Sequence, residues 1–101
     1  MTKPVARERD LQAAIRRWLT GQKLLVIKLS MLAKYGSAGW PDLMVLDHSP
    51  RTPLFLEVKA GLGSTTPLQN QRMQLLRLRG FHVEIVRSVE GAREAVEEWL
   101  R

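Results

Sequence analysis

The chain has 101 residues, enough for one domain with a single core and no covalent staples. It contains no cysteine, which excludes disulfides and thiolate zinc sites and fits a reducing cytosol; its apolar runs fall short of the roughly 18 residues of a membrane span, and the polar opening MTKPVARERD lacks the apolar stretch of a secretion signal. Lys and Arg number 16 against 10 Asp and Glu, a net charge of +6, and that surplus favours a polyanionic partner, chiefly nucleic acid or anionic lipid.

No repeat or low-complexity segment divides the sequence, so residues 1–101 read as one domain. Residues 8–20, ERDLQAAIRRWLT, place Leu11, Ala14, Ile15, Trp18 and Leu19 at helical spacing, and Gly21 closes that helix. LLVIKLS (24–30) is aliphatic and β-branched, a strand; KYGSAGWP (34–41) is a glycine-rich loop. DLMVLD (42–47) and LFLEVK (54–59) are two more strands, and the turn-like HSPRTP (48–53) joins them as a hairpin. GLGSTTP leads into a helix over about 67–79 that Gly80 ends. HVEIVR (82–87) is a fourth strand, and a last helix over about 89–100 buries Val89, Ala92, Val96, Trp99 and Leu100 on one side. The order α-β-β-β-α-β-α predicts an α/β domain, a sheet of at least four strands flanked by helices.

Three charged side chains break this apolar pattern. Asp42 stands at the mouth of one strand, behind Pro41, and Glu57 and Lys59 lie inside another. Side chains two apart on a strand share a face, so Glu57 and Lys59 project together. A hairpin turning near residues 50 and 51 sets Asp42 opposite Lys59, with Glu57 its diagonal neighbour. Two such carboxylates raise each other's pKa unless a cation lies between them, and a divalent metal on oxygen ligands removes the conflict. Lys59 beside it would counter charge on a phosphate or orient an attacking water. The plain alternative is an ion pair of Lys59 with Glu57 or Asp42 at a strand end.

Two further residues carry double readings. Glu8 extends the apolar stripe of the first helix, where it either favours the helix dipole or adds a third carboxylate to a metal site. Gln69 follows Thr66 by three in TPLQ, a capping box with proline at the first helical position, yet it also falls in line with Met73 and Leu76 on the core side. His48 and His82, in a turn and at a strand start, read as solvated; no nucleophile triad, phosphate loop or histidine metal pair is present.

Together these segments resemble the PD-(D/E)XK nuclease signature, and most closely its VRR-NUC (virus-type replication-repair nuclease) branch. The resemblance rests on ERDLQAAI, GWPDLMVL, the EVK strand, TPLQ, and VEIVRSVEGAREAV in that order, and it covers the chain from about residue 7. It implies a restriction-endonuclease-like core with a mixed central sheet. It further implies metal ligands at Asp42, Glu57 and the Val58 carbonyl, Glu8 close to the metal, Lys59 as catalytic lysine, and Gln69 orienting lysine or substrate. The expected cofactor is Mg2+ or Mn2+ rather than zinc. The loop KYGSAGWP departs from relatives that carry an asparagine and further glycines, which puts a DNA contact by Tyr35 in question. Stand-alone members resemble viral or prophage junction resolvases working as homodimers in the bacterial cytoplasm.

The sequence therefore reads as a metal-dependent DNA endonuclease acting in repair on branched DNA such as a four-way (Holliday) junction, with Lys34, Tyr35, Arg72 and Arg79 on the DNA. One site cuts one strand, so symmetric cutting calls for a two-fold dimer, with Trp40 or Trp99 as exposed contact residues. The rivals are a flap- or nick-directed nuclease and a basic nucleic-acid-binding module without catalysis.

Overall fold

The computed structural model describes residues 7–29 and 38–101. Its elements run α1 (Glu8–Gly21), β1 (Leu25–Lys28), β2 (Leu43–Leu46), β3 (Leu54–Val58), α2 (Pro67–Leu78), β4 (His82–Val86) and α3 (Val89–Leu100). The order is the one read from the sequence. The four strands form one mixed sheet in the order β1-β2-β3-β4. The first two pairings are antiparallel; β3 and β4 are parallel, with α2 as their crossover. No helix among the described residues is long and apolar enough to cross a membrane.

Alternation along β3 decides how the layers divide. Leu54, Leu56 and Val58 face one side and pack with Ile15 and Leu19 of α1 and with Ala92, Val96 and Trp99 of α3. Phe55 faces the other side, in a smaller cluster with Met73 of α2 and Val83, and meets Phe81 edge-on at 5.6 Å between centroids. Glu57 and Lys59 share the Phe55 side by the same period of two. The site is thus placed at one end of the sheet, on the face that α2 covers.

The helix ends follow their capping chemistry. Thr66 Oγ1 accepts from Gln69 N–H at 3.1 Å and Gln69 Oε1 accepts from Thr66 N–H at 2.9 Å, so the capping box is complete in both directions. Ser88 caps α3 by accepting from Gly91 N–H at 2.9 Å. Gly80, at φ 87°, takes the left-handed turn that ends α2.

Three expectations change. Leu100 is 41% exposed, because it lies a full residue step beyond the stripe of Ala92, Val96 and Trp99. Ala95 is buried in its place. Trp99 is 2% exposed, and its Nε1–H donates to Thr52 O at 2.7 Å while the Arg51 guanidinium lies over its ring. It is a core residue and not a dimer contact. The third change is the hairpin register, in which Leu43 pairs with Leu56.

Candidate active site

Leu43 pairs with Leu56 and Met44 with Phe55. Continuing that register sets Asp42 opposite Glu57 and Pro41 opposite Val58, two residues away from the alignment expected from the sequence. Asp42 and Glu57 are therefore direct neighbours across the hairpin rather than diagonal ones. Proline has no N–H to give the ladder, and the next bond is made by a side chain: Val58 N–H donates to Asp42 Oδ2 at 2.8 Å. The carbonyl of a strand residue lies on the same edge as its N–H. The Val58 carbonyl therefore faces the Asp42 side, and the proline opposite cannot engage it. The pair Pro41-Asp42 has a physical function in the fold: one residue withholds a donor, the next supplies an acceptor.

Glu57 is 1% exposed, and its Oε2 is buried without a hydrogen-bond partner among the described residues. Burial first, and the Asp42 carboxylate second, push its carboxyl up from 4.5 to about 8, with Lys59 offsetting part and Glu8 adding to the rise. A buried carboxylate oxygen without a partner among the described residues, beside a second carboxylate, offers the hard oxygen donors that suit a divalent cation. Asp42, Glu57 and the Val58 carbonyl would hold it.

Lys59 lies just past the end of β3 with its side chain 11% exposed, and its Nζ stands 4.0 Å from Glu8 Oε1. Its backbone N–H donates to Val86 O at 3.1 Å, which ties it to β4. Glu8 thus meets the lysine; among the described residues no three acidic or histidine side chains converge on one point. Gln69 is half-buried and its carbonyl oxygen is taken by the cap. Arg72 lays its guanidinium over the Trp40 ring at 5.0 Å, and its Nε is buried without a partner among the described residues. Arg79 is exposed at the C-cap of α2, its Nη1 donating to Leu75 O at 3.2 Å. Lys34 and Tyr35 lie outside the described residues.

Gly39 shows why the loop before Asp42 needs glycine. Its φ is 89°, and a Cβ there would stand 2.6 Å from Leu68 Cγ and 3.2 Å from Arg72 Cγ. The close approach brings the loop onto α2, where the Trp40 ring lies under Arg72. Two residues had no site role assigned from the sequence, although Gln12 belongs to the ERDLQAAI segment that carries the resemblance. Gln12, 9% exposed, is one helical turn after Glu8 on the same stripe, and that spacing was the available signal. Arg87, which holds the loop after Lys59, had none, because its partners are backbone carbonyls 24 and 26 residues away.

A family model described as the VRR-NUC domain matches residues 5–90. No curated protein matches. Among solved structures, one described as "VRR_NUC domain" superposes with a TM-score of 0.73 at 30% identity, covering 91% of this chain and 96% of that one. Another, described as "VRR_NUC domain protein", gives a TM-score of 0.71 at 17% identity over 99% of this chain and 91% of that one. Since the match spans most of the sequence and takes in Glu8, the Pro41-Asp42 pair, Glu57, Lys59 and the α2 cap, the chain belongs to the VRR-NUC family of PD-(D/E)XK-type nuclease domains.

Proposed function

We propose that this chain is a metal-dependent, structure-selective DNA endonuclease acting on branched DNA, with Asp42, Glu57 and the Val58 carbonyl as the ligands of Mg2+ or Mn2+. The observation that carries this reading is the buried Glu57 carboxylate, set against Asp42 with one oxygen unpartnered among the described residues. A structural ion pair would have given that oxygen to Lys59, whose Nζ instead stands by Glu8. The chemistry a divalent ion supplies when bound there is activation of water for in-line attack on phosphorus.

The remaining functions fall to the chain itself. Lys59 points a fixed positive charge at the scissile phosphate and counters the charge that builds on its oxygens. Glu8 pairs with the lysine and directs it, and its field reaches Glu57 as well. Gln69 keeps its amide N–H groups for lysine or substrate, since the cap uses its oxygen alone. Arg72 and Arg79 on α2, with Lys34, grip the backbone, so affinity falls with salt. Because one site cuts one strand, paired cuts at a junction call for a two-fold dimer. Trp40, 37% exposed, and the edge-strand residues Leu25 and Ile27, 59% and 37% exposed, are its contact candidates.

The test is cleavage of end-labelled four-way junctions, flaps, nicked duplexes and intact duplexes with magnesium, with manganese and with EDTA. We expect cutting near the branch in either metal and none in EDTA. Undiminished cutting in chelator would overturn the metal site, and equal rates on intact duplex would overturn the structure selectivity.

A further inference from the structure

The turn after the lysine strand presents a side chain that takes no part in the metal site. Gly63 N–H donates to Ala60 O at 3.0 Å, and Gly61 has φ 54°, as the first central residue of a type II′ turn requires. Leu62 occupies the other central position and is 101% exposed. The turn is fastened from outside. Arg87 Nη1, just past β4, donates to Gly61 O at 3.2 Å and to Gly63 O at 2.6 Å, the two carbonyls that flank Leu62. The turn also lies on the catalytic lysine: a Cβ built on Gly63 would stand 3.9 Å from Lys59 Cδ.

A single exposed leucine on a surface is ordinary. This one is held out by a guanidinium that secures both of its neighbours, on a turn resting against the stem of Lys59. The apolar side chain thus projects from a fastened turn beside Lys59, which is where the nuclease reading brings the DNA backbone. Apolar side chains presented to DNA in this way enter base steps and unstack them.

We propose that Leu62 is a wedge that enters the base stack beside the scissile phosphate, with Arg87 as its positioning residue, and that this selects DNA whose stacking is already interrupted at a branch. The proposal rests on the nuclease reading for the location of the phosphate. Pushing the leucine into a continuous stack costs unstacking energy. A branch point has lost part of that stacking beforehand, so the cost there is small and cleavage is fast.

The test uses the full chain and a four-way junction with 2-aminopurine at the branch step, whose fluorescence rises when the base unstacks. In EDTA, wild type and Leu62→Met should raise the signal on binding. Leu62→Ser should bind with similar affinity and melt at the same temperature, yet leave the signal near that of free DNA. With magnesium, Leu62→Ser should cut the junction roughly tenfold more slowly, and a mismatch at the same step should close most of that gap. A full signal with Leu62→Ser, or no signal with wild type bound, overturns the wedge. Cleavage that continues in that case leaves the nuclease reading standing. A Leu62-dependent signal without cleavage of any DNA overturns the nuclease reading and keeps the wedge.

Discussion

Replacing Glu57 with glutamine keeps the shape of the side chain and removes the charge that β3 buries. In the metal-free protein that carboxyl is pushed up from 4.5 to about 8, by burial first and by Asp42 next. The sign follows from proton counting. Between those two values the folded chain holds more protons than the unfolded chain, so the stability this group contributes is complete below pH 4.5 and is lost as pH rises towards 8. At about 1.4 kcal/mol per unit, the window amounts to at most roughly 4 to 5 kcal/mol. Solvent entry and side-chain rotation reduce this as the charge forms. Urea unfolding in EDTA at pH 5.5, 7 and 8.5 should therefore show wild type losing stability with pH, and Glu57→Gln losing much less. Near pH 5.5 the two should be close; at pH 8.5 the variant should be the more stable by about 1 to 3 kcal/mol, with equal m-values. Magnesium should reverse the order at pH 8.5, because it binds the ionised pair in the folded state alone and must displace the proton. Metal-free wild type as stable at pH 8.5 as at pH 5.5 would refute the reasoning, since no buried carboxyl would then be losing its proton.

Lys59→Ala should lower single-turnover cleavage by about 100-fold or more with little change in DNA binding, as loss of one preorganised donor does. Removing Lys59 also removes the charge that holds Glu57 down, so the rate must be read at saturating metal and above pH 8; a normal rate there would remove the lysine from the mechanism. Gly39→Ala should destabilise by about 1 to 2 kcal/mol through its positive φ alone. Adding Leu68→Ala should relieve the 2.6 Å contact but not that strain, and full recovery in the double variant would show the backbone conformation to be unimportant. Trp99→Phe should cost about 1 to 2 kcal/mol by leaving Thr52 O without its donor, and it should leave the oligomeric state unchanged; dissociation of a dimer on this substitution would return Trp99 to the interface.

Much of the architecture was legible because local signals and packing agree. The stripe of Ile15 and Leu19, the TPLQ cap and the aliphatic strands each specify one element, and the charged trio stood out because it violated that pattern. Trp99 was harder, since a tryptophan near a chain end reads equally as core or as contact. What decides it is a carbonyl at Thr52, 47 residues away, waiting for its N–H. The Arg87 latch was invisible for the same reason: a guanidinium on backbone carbonyls leaves no trace in residue types. Interactions of this kind belong to the fold and not to any window of sequence.

The hairpin register shows where pattern reading stops in principle. A slip of one residue would turn every apolar side chain of β2 to the wrong face, so the pattern excludes it; a slip of two restores the faces and changes only which residues meet. The alignment with Asp42 opposite Lys59 and the observed one with Asp42 opposite Glu57 differ by such a slip. Apolar alternation is blind to it. The turn and the proline decide between them. Asp47 gathers His48 N–H, the Ser49 hydroxyl and Arg51 Nε, which fixes a long loop before β3. With Pro41 opposite Val58, the missing proline donor falls where the Val58 carbonyl is needed free and where Asp42 can take the Val58 N–H at 2.8 Å. In the other alignment the proline would face Ala60, beyond the strand, and nothing would be gained from it. The motif's proline thus selects the register that brings the two carboxylates face to face, and the same choice that buries an uncomfortable charge at Glu57 creates the place a cation can occupy.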